Sequence, residues 1–494
     1  MDQGKLEQAF RRAYLLQQSG QYREAAQAYR RLLDEHPDHV GGHNNLGSIL
    51  MALGEPGEAI ASFRRAVALQ PAHAEAHNNM GVAYKRLGKA QEALDCYAAA
   101  LKCRPAYAQA LLNVGTIYYD LKDYDEALVW YRAALEVDPD QIEVHMNLAS
   151  IFEARGDFAA VKKHRDAVYG SKAVYVDHAA DPRMTALVLW GAGLGNVPTE
   201  YLLPQKCVTR IVCVIEYARP EELARLPDYD LVFNAIGDPD VMDRVVEPMA
   251  RFMATCGKPW INTVQAVART ARHRVPDLLG GLGHVVVPRT DRVEFAALRD
   301  TLNALPQDRF PILVRPVSSH GGDHLEKLES KADVAGFEPW PSPYYYLTDY
   351  VNYASADGGF RKYRVLFVDR QPFAYHMAIA SHWIVHHDTA GMQHEAWKRR
   401  EEEAFLADPR RVLGDKAMAA IEAIGRALDL DYGGVDFSIL PDGRVLVFEA
   451  NATMLAHPEE AGGVYDYKNP YVRKICDAFD AMLARRIAAA RASA

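Results

Sequence analysis

Pro37, Pro71, Pro105 and Pro139 stand at a constant step of 34 residues, and so do Ala25, Ala59, Ala93 and Ala127. Gly20, Gly54 and Gly88 keep the same step, as do the aromatic positions Tyr29, Phe63, Tyr97 and Tyr131. A fixed period constrains the fold more than any single motif. Each unit must be one supersecondary structure that cannot bury its apolar face alone, so successive units stack into a quasi-one-dimensional array. Within each unit two helical patterns precede a proline, which cannot continue a helix. Small residues at Gly47, Gly81, Gly115 and Ala59 predict close approach of the paired helices. About four full units are followed by a degenerate fifth from Ile142 to Val168.

A period of this length with these offsets resembles the tetratricopeptide repeat, which implies an all-α curved solenoid over residues 1–168. Asn45, Asn79, Asn113 and Asn147 occupy one slot on the first helix of successive repeats. Asparagine is a mediocre helix former, so local propensity does not explain its recurrence. The resemblance implies that this slot faces the inner groove, where each amide could donate to and accept from the backbone of an extended peptide. Structural hydrogen bonds between repeats are the alternative, and are the reading adopted for Asn44 and Asn78. Arg11 takes the slot in the first repeat, placed to pair with an acidic group of a bound peptide.

Residues 169–290 change character. Met184–Trp190, Arg210–Ile215, Asp230–Ala235 and Trp260–Val264 read as strands, with helical patterns such as Val241–Thr255 between them. That alternation predicts a parallel sheet in a small α/β domain. Gly191-Ala192-Gly193-Leu194-Gly195 invites a dinucleotide reading with Glu216 on the ribose, but the third glycine of that fingerprint would fall at Asn196 and Pro198 interrupts the helix start.

Near the carboxyl end, Val435–Leu440 and Arg444–Ala450 flank Pro441-Asp442-Gly443, which reads as a β-hairpin. With an even-numbered loop centred on Asp442 and Gly443, Asp436 lies opposite Glu449, and Asn451 follows on the same face. An odd-numbered loop would break that pairing. Opposed carboxylates among Val, Phe and Leu are costly unless a cation lies between them. Mg²⁺ held by few protein oxygens and completed by water and nucleotide phosphate meets the need.

Gly434-Val435-Asp436 followed by Glu449-Ala450-Asn451 resembles the metal-binding strands of the ATP-grasp superfamily, the carboxylate–amine ligases. The resemblance implies that Asp436, Glu449 and Asn451 bind Mg²⁺ bridging the phosphates of ATP. It extends upstream. Asn234 to Asp240, Pro259-Trp260-Ile261-Asn262 and Thr270 to Arg274 are similar to the domain that precedes the ATP-grasp fold in glutathione-synthetase-like and ribosomal-S6-modification-like ligases. There a basic residue touches phosphate; Arg272 or Arg274, ahead of Pro288-Arg289-Thr290, is the candidate. The apolar strand Phe310–Arg315 followed by Ser318-Ser319-His320-Gly321-Gly322 matches the family's strand-end cation and mobile phosphate loop, with Arg315 where Lys is usual. Ser318, Ser319, Gly321 and Gly322 would cover phosphate. Asp349, Tyr350 and Val351 stand where the family reads ribose and adenine. Arg364 matches the arginine that orients an acyl phosphate, with Lys362 where relatives have Asp. Many members have a proline three residues beyond the Asn, where this chain has Met454. The roles of His320, His324, His382 and His386 stay open. The other helical segments, Lys398–Glu403 and Asn469–Ala494, read as a solvated helix and an outer helix.

The expected architecture is therefore multidomain: a tetratricopeptide solenoid (1–168), an α/β domain of the kind that precedes ATP-grasp (169–290) and an α+β ATP-grasp domain (291–494). The resemblance implies transfer of phosphate from ATP to a carboxylate and attack of an amine on the acyl phosphate, chemistry that asks for positioning and charge stabilisation rather than a nucleophilic triad. An amino acid or amine would be the co-substrate, and a peptide or protein held in the repeat groove the acceptor. A small-molecule acceptor, with the repeats serving assembly, and a non-catalytic scaffold are the rival readings. Net charge of −9 with no long basic run argues against nucleic acid. No apolar run approaches membrane-spanning length, and six cysteines without CxxC spacing read as reduced thiols, which together suggest a cytoplasmic protein.

Overall fold

The computed structural model describes residues 3–193, 195–242, 245–317, 322, 324–386 and 390–493. Residues 3–169 form five helix pairs: Gln3–Gln18 with Tyr22–Glu35, Val40–Ala52 with Pro56–Leu69, Ala74–Arg86 with Ala90–Cys103, Ala108–Asp120 with Tyr124–Val137, and Ile142–Ala154 with Phe158–Tyr169. The fifth, although its sequence pattern is degenerate, still forms a helix pair. The 34-residue step explains the packing directly. A Cβ on Gly47, Gly81 or Gly115 would lie 2.5, 2.5 or 2.6 Å from the ring of Phe63, Tyr97 or Tyr131, so each aromatic ring lies flush on the bare backbone of the preceding helix. Those three rings are fully buried. Gly20, Gly54, Gly88 and Gly156 close helices in the left-handed region, and Lys122 takes the equivalent place with φ 62° despite its Cβ. A second periodic device was not anticipated. His43, His77 and His145 each place Nε2 2.8–2.9 Å from the carbonyl of Pro37, Pro71 or Pro139, so each ring donates across the turn that starts its helix.

The chain divides into two compact units, Met1–Val168 and Tyr169–Ala494. Among its described residues the second holds three sheets. β1 (Val174–Asp177), β2 (Met184–Trp190), β3 (Val208–Val214), β4 (Leu231–Asn234) and β5 (Trp260–Ile261) form the first, in order β1-β3-β2-β4-β5. It is parallel except for the antiparallel edge strand β1. β6 (Val285–Val286) joins the third sheet; β7 (Thr290–Glu294), β8 (Ile312–Pro316), β9 (Glu326–Leu328) and β10 (Tyr344–Asp349) make the second, in the antiparallel order β7-β10-β8-β9. β11 (Phe360–Val368), β12 (Gln371–Ala380), β13 (Tyr432–Ile439) and β14 (Val445–Asn451) complete the third, in order β12-β11-β13-β14-β6.

Asn262 locks the first sheet to the third. It is fully buried in the left-handed region just past β5. Its Nδ2 donates to the Tyr432 carbonyl at 2.7 Å, its Oδ1 accepts from the backbone N–H of Asp431 and Tyr432, and its own N–H donates to the Asp431 carboxylate at 2.9 Å. The helix Asn469–Ser493 is not an outer element, as its Ala/Arg-rich composition suggested. Ile475, Phe479 and Met482 are fully buried, and Phe479 meets both Phe233 and Tyr432.

The helix Ala396–Ala407 holds a sharper correction, because the charged run Lys398–Glu403 is not a solvated face. Glu402 is fully buried. It accepts from the Met377 backbone N–H at 3.0 Å, from Tyr467 Oη and from His376 Nδ1, with Lys468 4.0 Å away. Burial alone would raise its pKa, but the His376 bond, the Lys468 charge and Tyr467 hold it down at about 2. The i,i+4 pattern of mixed charge that reads as a wet helix hides one carboxylate whose partners come from two distant segments.

Two outcomes are expected. Gly81→Ala lowers the melting stability of the solenoid by about 1–3 kcal/mol through overpacking on Tyr97, whereas Lys122→Gly raises it by about 0.5–1 kcal/mol by relieving left-handed strain; thermal melts of the two variants should move in opposite directions. Because the folded Glu402 pKa lies below its unfolded value, its stabilisation is present above about pH 4.5 and fades as pH falls towards 2. Glu402→Gln should lose about 3 kcal/mol near neutral pH, and the gap in urea midpoint should narrow by more than half on acidification to about pH 3; a gap independent of pH would contradict this.

Candidate functional site

A cavity of about 290 Å³ lies among β8, β10, β11, β13 and β14 of the second unit. At its deep end Asp436 faces Glu449 across β13–β14, as expected, but by a different route. Next to the turn the partners are Ile439↔Val445, Ser438↔Leu446 and Phe437↔Val447, the register of an odd-numbered loop. Leu440 pairs with Arg444 around Pro441-Asp442-Gly443, and Gly443 takes φ 83°. A bulge then intervenes between Phe437 and Asp436, with Phe448 as the extra residue, and the register becomes Asp436↔Glu449, Val435↔Ala450, Gly434↔Asn451. The loop assumed from the sequence is thus corrected, and the bulge restores the opposition that an odd loop would have lost.

The two carboxylates are not bare. Arg364, directly opposite Asp436 on β11, holds it bidentately at 2.6 and 2.9 Å, and Lys362 approaches the same carboxylate at 3.1 Å. Asp436 is 2% exposed, and although burial opposes its charge, the two cations pull its pKa far below the usual carboxylate range. Glu449 receives Arg272 at 2.6 Å and the Asn451 amide at 2.7 Å on one oxygen; burial is again outweighed, here by Arg272 and Arg315, and its pKa is lowered. The cations that opposed carboxylates demand are therefore supplied by the chain itself, which removes the sequence argument that a metal must lie between them. Among the described residues no three His, Cys, Asp or Glu side chains form a ready cluster for a metal ion.

Arg315 reaches the cavity from β8, and burial together with the neighbouring Arg272 pushes its pKa down to about 9. Four cations, Arg272, Arg315, Lys362 and Arg364, thus converge with two carboxylates. Arg274 does not take part: it is exposed, starts a short helix and donates to the Ala268 carbonyl at 3.3 Å. Its neighbour Arg272 points inward because two residues along this turn reverse the direction of the side chain. Asp349, Tyr350 and Val351 also line the cavity, with Asp349 held at 2.7 Å by Arg309. Leu446, Phe448 and Ile384 add apolar lining to the cavity. Gly322 lines the cavity, while Ser318, Ser319, His320 and Gly321 lie outside the described residues. Met454 is buried, and a Cβ on Gly434 would lie 2.7 Å from its Cγ, so this side chain fills the space that the Gly-x-Asp pattern leaves open.

The histidines separate. His386 lines the cavity. His382 lies in an irregular segment beyond β12. His324 stacks on Trp340 with centroids 4.1 Å apart. Residues that the sequence did not single out are Trp383, whose ring meets Tyr350 edge-on at 5.8 Å, and Lys327, 4.5 Å over the Tyr350 ring. Neither belongs to a motif of fixed spacing. Beyond β2, Glu216 accepts from the Ala192 backbone N–H and Asn196 bonds both polar backbone groups of Gly191, so these side chains fill the glycine loop.

In the first unit the four ladder asparagines are half-buried. Asn45 and Asn147 donate to the hydroxyls of Tyr29 and Tyr131, each at 3.0 Å. Asn79 donates instead to Asn44 at 3.2 Å, and Asn113 to Asn78 at 2.9 Å. Each of the four amides thus has a donor engaged within the array, as in the structural alternative, and Asn44 and Asn78 are the inter-repeat acceptors for Asn79 and Asn113.

Three tetratricopeptide repeat models match residues 10–77, 74–107 and 115–156. Residues 3–169 are accordingly a tetratricopeptide array. No curated protein matches the chain. Among solved structures, MamA is 25% identical over 32% of this chain and 92% of its own, with TM-score 0.30. Pseudomonas aeruginosa pilF is 18% identical over 33% and 75% (TM-score 0.32), and a thermophilic tetratricopeptide protein of Thermus thermophilus is 22% identical over 33% and 90% (TM-score 0.30). No described helix is long and apolar enough to cross a membrane.

Proposed function

We propose that the second unit binds ATP with Mg²⁺ and activates a carboxylate for attack by an amine, and that the tetratricopeptide array holds a peptide or protein partner. The repeats by themselves support a protein-interaction role. The observation that carries the enzymatic reading is the convergence of four cations on two opposed carboxylates, Asp436 buried and Glu449 half-buried, in one cavity that also has an apolar lining. Asp240 also acts on Arg272 and Arg315, and a cluster so rich in guanidinium and ammonium groups suits a small polyanion such as a polyphosphate.

The donor set also fits a hard cation. Asp436, Glu449 and the Oδ1 of Asn451, which accepts from Thr453, are oxygen donors, the type Mg²⁺ accepts, and few enough to leave positions for water and phosphate. When bound, the metal would neutralise developing negative charge on the transferred phosphoryl group. The chain's own residues do the rest. Arg315 and Arg272 grip phosphate, Tyr350 and Val351 receive the base with backbone groups, and Arg364 orients the activated carboxylate. In that reaction a substrate carboxylate oxygen bonds to the γ-phosphorus as ADP leaves; the amine nitrogen then bonds to the acyl carbon, phosphate departs and the amine loses a proton.

Isothermal calorimetry should register Mg-ATP binding to the purified chain, and Arg315→Ala should weaken it by about tenfold to a hundredfold, the loss of one charge-assisted contact. Absence of any Mg-ATP uptake by the wild-type chain would remove the ligase reading and leave the scaffold.

A further inference from the structure

Both oxygens of Asp436 are occupied by Arg364, Lys362 shares one of them, and the oxygen of Glu449 that faces Asn451 is occupied by Arg272. A divalent ion approaching this site alone meets three cations already in the places it would take. Removing one partner from such a buried pair leaves an uncompensated charge, so the cations do not leave without somewhere to go. A polyphosphate supplies that place. From these contacts we infer that the carboxylate site is masked by its own cations and that a polyanion must bind first, drawing Lys362 and its neighbours off Asp436 and Glu449 before a divalent cation can bind.

Lys362 is the residue that sets the order. It is the partner with the longer, single contact to Asp436, whereas Arg364 is fixed by two bonds directly across the strand pair. A lysine ammonium on a flexible stem exchanges carboxylate for phosphate more readily than a bidentate guanidinium does. It therefore acts as a positioning residue: in the free protein it blocks the metal site, and in the loaded one it serves the anion. This inference rests on the nucleotide reading above, but it concerns affinity for simple ions and does not need turnover.

The test uses the whole chain, inorganic triphosphate and Mn²⁺, with Mn²⁺ binding followed by electron paramagnetic resonance and triphosphate by calorimetry in the presence of chelator. The wild-type protein should take up triphosphate without any metal, and should bind Mn²⁺ at least about tenfold more tightly once triphosphate is present. Lys362→Met should shift the two affinities in opposite directions, weakening triphosphate and tightening Mn²⁺ added alone; a merely structural lysine would lower both. Equal Mn²⁺ affinity with and without triphosphate in the wild type would overturn the masking, and so would a Lys362→Met protein in which both affinities fall. Mn²⁺-independent failure of the wild type to bind triphosphate or Mg-ATP at all would instead remove the nucleotide reading on which it stands.

Discussion

The second unit is organised by the opposition of Asp436 and Glu449 across one antiparallel strand pair. Two carboxylates so placed inside a protein repel each other and lose hydration, and the fold answers with Arg364 and Lys362 on one and Arg272 on the other. The three cations arrive on two elements. Arg364 and Lys362 come from β11, whereas Arg272 follows the first sheet, so the ion pairs tie that sheet to the third. Asn262 repeats the connection at the other end of β13, through backbone bonds to Asp431 and Tyr432. A cavity whose charges are arranged this way is held in shape before any ligand enters, which is what positioning chemistry requires.

The same logic is visible at Glu402, where a buried carboxylate gathers His376, Tyr467 and Lys468 from distant segments. Buried charges here are tie points between elements, each satisfied by several partners. In the first unit the ties are neutral and periodic: aromatic rings on bare glycine backbone, imidazole on the proline carbonyl, and amides passing from one repeat to the next. Because each of these devices recurs at the repeat step, the array grows by repetition, while the second unit depends on contacts between residues far apart in the chain.

That difference decides what could be read in advance. The solenoid was legible because its constraints repeat, and β2 was legible because a fully buried strand needs a continuous apolar run. The facing of Asp436 and Glu449 was legible as a pattern, although the turn was not: Pro-Asp-Gly suits several loop lengths, and the compensating bulge at Phe448 has no local signature. Arg272 and Arg274 are indistinguishable by composition; only the direction of the turn sends one inward. The run Lys398–Glu403 looked solvated because the partners that bury Glu402 are at 376, 467 and 468. The Asn ladder recurs for a reason that local propensity cannot show, since its partners are tyrosines and asparagines one helix or one repeat away.

The account turns on whether the cations at this hairpin are shared between carboxylate and phosphate. A double-mutant cycle of Lys362→Met and Asp436→Asn, read as unfolding free energy with and without saturating triphosphate, measures that sharing directly. The account predicts a coupling of about 1 kcal/mol or more between the two side chains in the free protein, falling towards zero when triphosphate is bound. A coupling that triphosphate leaves unchanged would contradict it.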